Sequence, residues 1–414
     1  MRLHLAPAHI SRDTWRIATT GAPNTEVTSM KLSTDRILTT HVGSLPRPED
    51  LLELLRQEDR GEPVDTEALH ARTATAVSQV VADQVAAGID VVSDGEMSKI
   101  SYHVYARHRL NGLEATDGTG VPDRPAPADF NDFPEMADAA GSAGPELMKA
   151  TVCEGPVSYA DHGPLNRDIA NLKAAAGASG PTDMFMNTVS PGCLSTYVPN
   201  RHYRDRDAYR EALIEALRPE YNAIHEAGIV LQLDCPDLAG ARHTDYQAMD
   251  EATFLADAEK SIEALNAATS DIPPEAMRMH ICWLNYAGPH THDIPIKKLL
   301  GLLAKARPQA ILFEGANPRH AHEWEDIKDF GVPDDKVLIP GVIDSTSNFV
   351  EHPQLVAQRI CQYADIVGRE RVLAGSDCGF GTYAGRKGVY PSVVLGKFRA
   401  MAEGAQMASD RLWG

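Results

Sequence analysis

Short apolar runs alternate with longer amphipathic stretches along most of the chain after residue 36. This alternation is typical of parallel strands that are joined by crossover helices. Eight runs have the length of a strand, and they cover residues 37–43, 89–93, 184–189, 229–234, 279–283, 310–314, 337–342 and 371–376. The pattern therefore predicts an α/β protein, specifically a (β/α)8 TIM barrel.

A doubly wound sheet is the alternative fold. It is disfavoured because no G-x-G-x-x-G turn follows the first apolar run. Helices are predicted over residues 48–60 and 65–87, the second ending at Gly88. A further helical pattern over residues 206–227 contains Pro219, which should kink or split that helix.

Residues from about 100 to 182 do not fit one strand followed by one helix. Residues 117–145 are rich in Gly, Pro, Asp and Ala, and residues 152–159 resemble one strand of a hairpin. We therefore predict that an inserted hairpin and loop region decorates the barrel after its second strand. Residues 1–29 are predicted to be a disordered extension and residues 30–414 a single catalytic domain, with Met30 as an alternative start.

Composition narrows the functional class. The chain has 414 residues, 43% of them hydrophobic, so it can bury a large core. Its formal charge of −19 repels phosphate backbones and anionic lipid surfaces, which excludes nucleic acid and membranes as expected partners. Six scattered cysteines and the lack of a secretory signal pattern favour a cytoplasmic protein. A homo-oligomer is compatible with the sequence, which does not decide the oligomeric state.

His280 and Cys282 lie two residues apart in an apolar run, and a strand would place both side chains on one face. An imidazole and a thiol are soft metal ligands of the kind that zinc prefers. Glu314 ends another run, and Cys378 follows a third. We predict that Zn²⁺ is held by these four residues and that it binds a substrate thiol as a thiolate. The alternative for Glu314 is an ion pair with Arg319.

Chemistry in a barrel takes place at the carboxyl ends of the strands. Eight candidate residues end or just follow a predicted strand: His41, Glu96, Asp234, His280, Cys282, Glu314, Asp344 and Cys378. Arg319 and His320 would suit a negatively charged group of a substrate. His290 with His292, and His320 with His322, have spacings compatible with a second metal, although hydrogen-bonding roles are at least as plausible for these loop residues. The cysteines outside the predicted centre are expected to fill the core.

The sequence resembles the cobalamin-independent methionine synthase superfamily, in particular its single-barrel members, which match the catalytic C-terminal half of the full-length enzyme. The resemblance is carried, in order, by residues 38–46, 94–96, 231–236, 280–282, 313–314, 341–344 and 377–379. It implies a zinc-dependent (β/α)8 enzyme that moves an alkyl group onto a thiol. By position, His280, Cys282, Glu314 and Cys378 match the zinc ligands of the family. The segments that hold the amino-acid thiol correspond to Gly43, Ser44, Glu96 and Asp234.

The chain departs from the methionine synthases at Thr346, where the family has a histidine thought to act as an acid. Residues 280–283, 316–320 and 341–346 are more similar to the epoxyalkane:coenzyme M transferase branch. The resemblance thus implies a zinc-dependent alkyltransferase that methylates a homocysteine-like thiol or opens an epoxide with coenzyme M. An epoxide would need a proton, which could come from His41, Tyr286 or a water held by Asp344.

Two other functions are compatible with a zinc site on a barrel. A zinc hydrolase would use a water at an open coordination position and would favour His and Asp ligands over two cysteines. A purely structural site would be closed by four protein ligands. The partners expected for the alkyltransferase are a small-molecule thiol and an alkyl donor, and entry of the thiol into the metal's coordination shell would distinguish it from the structural alternative.

Overall fold

The computed structural model describes residues 29–101, 104–119, 125–136, 149–385 and 388–414. Residues 1–28 of the predicted extension, which covers residues 1–29, and part of the Gly- and Pro-rich segment lie outside the described residues. No helix among the described residues is long and apolar enough to cross a membrane.

The central sheet contains seven parallel strands that neighbour one another in chain order. They are β1 (Val91–Val92), β4 (Asp183–Val189), β5 (Val230–Asp234), β6 (Met277–His280), β7 (Ala310–Phe313), β8 (Val337–Ile343) and β9 (Gly375–Ser376). The register places Asp234 at the end of β5 beside His280 at the end of β6. Two sequence-distant candidate residues are therefore neighbours at the same edge.

Residues 37–43 close the sheet into a barrel. Thr39 forms a parallel bridge with Ala374, and the Thr40 amide donates to the Ala374 carbonyl at 2.8 Å. On the other side, the Val91 amide donates to the Thr39 carbonyl at 3.0 Å. This segment thus joins the last strand to β1, and the eight predicted runs correspond to the eight strand positions of the barrel. The predicted fold class is confirmed.

Helices surround the barrel. Their bounds are α1 (Glu49–Arg60), α2 (Thr66–Ala86), α3 (Asp129–Asp132), α4 (Gly163–Ser179), α5 (Pro191–Tyr197), α6 (Arg206–Glu226), α7 (Glu251–Ala268), α8 (Leu300–Leu303), α9 (Trp324–Phe330), α10 (Pro353–Val367) and α11 (Pro391–Trp413). Short 3₁₀ turns cover Tyr105–His108, Pro236–Leu238, Gly240–His243, Pro274–Ala276, Ile296–Lys298 and Arg369–Arg371. Pro219 does not split α6, which continues through it as one helix.

The predicted hairpin is present after the second barrel strand, β1. Its strands β2 (Leu110–Thr119) and β3 (Lys149–Tyr159) are antiparallel. Helix α4 follows the hairpin, packs against α2 and leads into β4. It therefore has the position of a crossover helix of the barrel, although the sequence analysis grouped its residues with the insertion.

Strand alternation decides which side chains face the barrel interior. In β6, Met277 and Met279 belong to the large cluster packed against the helices, so Arg278 and His280 point to the opposite face. Arg278 is fully buried inside, with its guanidinium 3.4 Å from the centre of the Phe185 ring. His280 is therefore presented to the interior at the carboxyl end of the barrel.

Candidate metal-binding site

Three of the predicted ligands converge at this end of the barrel. His280 is the last residue of β6, Cys282 lies two residues beyond it, and Cys378 lies two residues beyond β9. Their ligand atoms all lie within 4.8 Å of one another, with His280 Nε2 and Cys378 Sγ 3.5 Å apart. Strand β6 ends at His280, so Cys282 lies in the segment after the strand, but its thiol lies on the same side as the His280 imidazole.

The chemistry of this group suits a soft metal ion. All three side chains are buried, and His280 Nδ1 has no hydrogen-bond partner in the part of the chain that the structure describes. A hydrogen bond from Cys378 lowers the pKa of the Cys282 thiol, whereas the same contact and burial raise that of Cys378. Burial lowers the pKa of His280, but Cys282 and nearby carboxylates raise it more. One nitrogen and two sulfur donors form a set that zinc accepts.

Glu314 lies beside this group, and its oxygens bind protein donors. Oε1 accepts from the Trp283 amide at 2.9 Å, and Oε2 accepts from Asn317 Nδ2 at 2.8 Å and from Arg319 at 2.9 Å. Burial raises the pKa of its carboxyl group. The structure thus has the ion pair with Arg319 that the sequence left as the alternative to metal ligation.

Asp377 organises the loop after β7 that carries Glu314. Its carboxylate accepts hydrogen bonds from the backbone amides of Gly315, Ala316 and Asn317 at 2.8, 2.8 and 2.9 Å. The residue precedes Cys378, so it connects that loop to a metal-ligand candidate. Sequence analysis missed this role, although the Asp-Cys-Gly motif was the signal that could have revealed it.

Glu96 and Asp234 approach each other across Asn187. The Asn187 amide group donates to Glu96 and, at 3.0 Å, to Asp234 Oδ2. Burial raises the pKa of Asp234 to about 6, and Arg47 lies 3.3 Å from Glu96. Asn187 lies on β4 inside an apolar run, and its polarity in that setting was the only signal in the sequence.

Gly43 and Ser44 form the turn that faces these groups. Gly43 has φ +139°, and a Cβ there would lie 3.0 Å from Asn187 Oδ1, so the turn needs glycine. The Ser44 carbonyl accepts from the Phe380 amide at 2.8 Å, and Ser44 Oγ lies against Gly379. The turn therefore contacts both Asn187, which donates to the two carboxylates, and the Cys378 loop.

His41 is a buried structural residue in this arrangement. Its Nε2 lies 2.7 Å from Gln84 Oε1, its Nδ1 accepts from the Gly43 amide at 3.2 Å, and burial lowers its pKa to about 3. Both ring nitrogens are thus engaged within the protein, and the imidazole stays neutral. This geometry argues against the proton-donor role suggested by the sequence and assigns His41 to support of the Gly43 turn.

Asp344 and Tyr286 have different surroundings. Asp344 Oδ1 accepts from the amide and the hydroxyl of Thr346 at 2.9 and 2.8 Å. Burial raises the pKa of Asp344, but hydrogen bonds from Ser347 and Thr346 lower it more, so the group is ionised at neutral pH. The Tyr286 hydroxyl donates to Asp129, and burial raises the pKa of this phenol.

The predicted anion-contacting pair is directed at protein carboxylates. Arg319 contacts Glu314, as described above. His320 lies between Asp293, at 3.1 Å, and Glu323, at 2.9 Å, and these carboxylates raise its pKa to about 10 despite burial. Both positive charges are therefore already balanced within the protein.

The fold and the site define a parallel barrel with a buried imidazole and thiol group at the carboxyl ends of its strands. Among protein-family models, the cobalamin-independent synthase catalytic domain matches residues 37–123. A methionine synthase of Saccharolobus solfataricus is 25% identical over 382 residues, covering 90% of this chain and 95% of that protein. One from Sulfurisphaera tokodaii is 23% identical over 377 residues, covering 90% and 93%.

Solved structures agree with the fold. The B12-independent methionine synthase from Shewanella sp. W3-18-1, in complex with selenomethionine, superposes with a TM-score of 0.67 at 20% identity, covering 91% of this chain and 99% of that chain. A putative vitamin-B12 independent methionine synthase from Listeria monocytogenes gives 0.59 at 18% identity, covering 92% and 99%. The chain is thus similar to proteins named methionine synthases over 90% of its length, and its fold is the one found in the solved B12-independent methionine synthases.

Proposed function

We propose that this protein is a zinc-dependent thiol S-alkyltransferase, whose first candidate reaction is methyl transfer to homocysteine or a similar amino-acid thiol. The observation that carries the proposal is the convergence of His280, Cys282 and Cys378 within 4.8 Å. The similarity to proteins named methionine synthases supports it.

The proposed metal would be held by these three residues, with Glu314 as the proposed fourth ligand. When bound, zinc supplies the positive charge that turns a weakly acidic thiol into a nucleophilic thiolate at neutral pH. Ligation by Glu314 requires its carboxylate to exchange a contact with Arg319 or Asn317 for the metal. Without that exchange, Glu314 would fix the Trp283 amide and thereby the position of Cys282.

The paired carboxylates favour an amino-acid thiol. Glu96 and Asp234 are buried and share Asn187 as a donor, and Asp234 lies next to His280 through the β5 and β6 register. Two carboxylates at one wall attract an ammonium group and repel a sulfonate. We therefore assign them to the amino group of the thiol substrate, with Gly43 and Ser44 completing that wall.

Epoxide opening by coenzyme M is the second candidate reaction. It is favoured by Thr346, which replaces the histidine of methionine synthases and is bound to Asp344. Of the three proton sources considered, His41 is neutral with both ring nitrogens engaged. We propose that the proton comes from Tyr286, whose hydroxyl is bound to Asp129, or from a water held by the ionised Asp344.

Metal analysis followed by X-ray absorption at the zinc edge tests the proposal. We expect a shell of nitrogen and sulfur donors that gains one sulfur from homocysteine and none from coenzyme M. Gain from coenzyme M alone would favour the epoxide reaction. A metal shell that neither thiol enters would refute thiol activation and favour a structural site, and turnover of an ester or amide without thiol would favour a hydrolase.

A further inference from the structure

A second group of metal-ligating side chains surrounds Asp293. His243 Nδ1 lies 2.8 Å from Asp293 Oδ1, and His290 Nδ1 lies 3.1 and 3.0 Å from the two carboxylate oxygens. One ligand atom from each of these three residues lies within 4.8 Å of the other two. The group shares no residue with the His280 centre.

The environment of His243 is the first observation that indicates a cation-binding site. The residue is 1% exposed, and among the described residues its Nε2 has no hydrogen-bond partner, while its Nδ1 has only the Asp293 carboxylate beside it, at 2.8 Å. Leaving a buried polar group without a partner costs about 1–3 kcal/mol. A cation between His243 and Asp293 would satisfy both the nitrogen lone pair and the carboxylate.

The hydrogen bonding of His290 is the second sign. Its Nε2 lies 3.0 Å from the Tyr286 carbonyl oxygen, which can only accept, so Nε2 carries the proton. The other ring nitrogen, Nδ1, faces both oxygens of the Asp293 carboxylate at 3.1 and 3.0 Å. A metal ion that replaced the proton between them would bind both the nitrogen and the carboxylate. A backbone carbonyl on the second nitrogen is the usual way to orient a metal-binding histidine.

A further shell holds Asp293 in place. His320 Nε2 lies 3.1 Å from Asp293 Oδ2, and its Nδ1 lies 2.9 Å from Glu323. His320 thus bridges the carboxylates of Asp293 and Glu323, and Asp293 Oδ1 still faces His243 and His290. This chain of a carboxylate, an imidazole and a second carboxylate is the outer support that metal sites commonly have.

The residues come from three successive loops at the carboxyl end of the barrel. His243 follows β5, His290 and Asp293 follow β6, and His320 follows β7. The ring of Trp283 stacks on His320 with centroids 4.1 Å apart. Because the Trp283 amide also binds Glu314, the position of this cluster is coupled to the loop beside the His280 centre.

We propose that His243, His290 and Asp293 bind a divalent metal ion of the zinc class, which fastens the loops after β5 and β6 to each other and, through His320, to the loop after β7. Two histidines and one carboxylate are a common ligand set for such ions, and a water completes the shell. Bonds of about 2.1 Å in a tetrahedral shell place ligand atoms about 3.4 Å apart. The observed separations of 2.8 to 3.1 Å need to open by only a few tenths of an ångström.

The test uses the full chain without a histidine tag, carrying C282S and C378S to remove the sulfur donors of the first centre. After incubation with Zn²⁺ and gel filtration, we expect about one zinc per chain by mass spectrometry of the metal. Its X-ray absorption should show nitrogen and oxygen neighbours and no sulfur. Absence of zinc from this folded variant would overturn the proposal. A parent protein whose zinc has no sulfur neighbours would contradict only the proposed function, because the sulfur donors belong to the His280 centre.

A matched pair of histidine variants identifies the ligands. In the C282S/C378S background, H243A should lose the retained zinc, whereas H292A, at a 44% exposed side chain paired with Asp132, should keep it. Zinc retained in H243A, or lost equally in H292A, would refute the assigned ligands. If H243A fails to fold, D293N makes the same comparison, and the measurement on the C282S/C378S protein decides the proposal by itself.

Discussion

Cys282 and Cys378 have the same side chain as four other cysteines, and their positions give them a different chemistry. Both are buried next to an imidazole, whereas Cys361 lies partly exposed on α10 and packs against the apolar core. The contrast provides a direct comparison within one chain.

We predict that C282S does not bind the zinc proposed for the His280 centre and that the proposed thiol alkylation slows by at least about 100-fold, because a hydroxyl is a poor substitute for a thiolate donor. C361S should keep both within about twofold. Metal content and initial rates are the measurements. Equal zinc and equal rates in the two variants would contradict the assignment of Cys282.

His41 should make stability depend on pH. Its pKa is about 3 in the folded protein and 6.5 when unperturbed, so the unfolded chain binds the proton more readily. This contribution is complete above pH 6.5 and is lost as pH falls towards 3, by about 1.4 kcal/mol per pH unit.

We therefore expect the destabilisation caused by H41Q to shrink between pH 7 and pH 5, by about 2 kcal/mol in the free energy of unfolding. Urea denaturation of both proteins at the two pH values measures it. H292Q is the control at an exposed position and should show a difference that stays constant. Parallel curves for H41Q and the parent protein would refute the neutral buried state of His41.

The sequence predicted which residues end the strands but could not predict their partners. Their position at the ends of apolar runs was enough to identify His280, Cys282 and Cys378 as candidate ligands, because the ends of parallel strands meet at one edge. The engagement of His41 by Gln84 depends on side-chain directions that no spacing encodes, and the ion pair of Glu314 with Arg319 was one of two alternatives that the sequence left open.

The side chain of Asp377 fixes the backbone of the loop after β7. Asp377 accepts three backbone amides from it, and a carboxylate has enough lone pairs for all of them. An asparagine in its place would point an NH₂ group at one or more of these donors.

We expect D377N to lower the zinc affinity of the His280 centre by about 10- to 100-fold through displacement of the Glu314 and Cys378 loops. Competition with a chromophoric chelator measures this affinity. D365N, an exposed position on α10, is the control and should leave it unchanged. An unaltered affinity in D377N would show that the loop does not position the ligands.

The inserted hairpin is joined to the barrel by a buried ion pair. Arg109 donates to both oxygens of Glu220 on α6, at 2.6 and 2.9 Å, and both side chains are 3% exposed. Arg201 and Glu154 form a comparable pair at 2.9 Å, with side chains 47% and 43% exposed. Burial distinguishes the two pairs energetically.

E220Q should lower the free energy of unfolding by about 3–5 kcal/mol, because it leaves the Arg109 charge buried without its counter-ion. E154Q should lower it by less than about 1 kcal/mol. Denaturant unfolding at constant pH and salt compares them. Similar small losses in both variants would mean that the hairpin is not secured by the buried pair.

At the level of elements, strand positions were predictable and their ends were not. The predicted run at 279–283 continues beyond β6, because the apolar residues after His280 are buried in a turn. Similarly, α4 was grouped with the insertion because the hairpin before it obscured the alternation. Pro219 was expected to disturb α6, yet burial of one face of this helix holds it together as one element.

At the scale of the whole molecule, the barrel was predictable because an apolar run of the same kind marks each of its eight strand positions. Its closure could be inferred only from their number. The closing contacts belong to Thr39 and Ala374, which are among the most distant parts of the described chain. Hydrophobic periodicity reports on local structure and carries no information about which distant strands pair.

The same closure has a consequence for synthesis in the cell. Ribosomes add about 5–20 residues per second, so Thr39 waits on the order of tens of seconds before Ala374 is made. During that interval the growing sheet has two open edges and an uncovered apolar interior, and Cys378 has not yet been added. We therefore expect the nascent chain to depend on chaperones that shield strand edges. We also expect the proposed metal to bind at the His280 centre only after the last barrel strand has been translated.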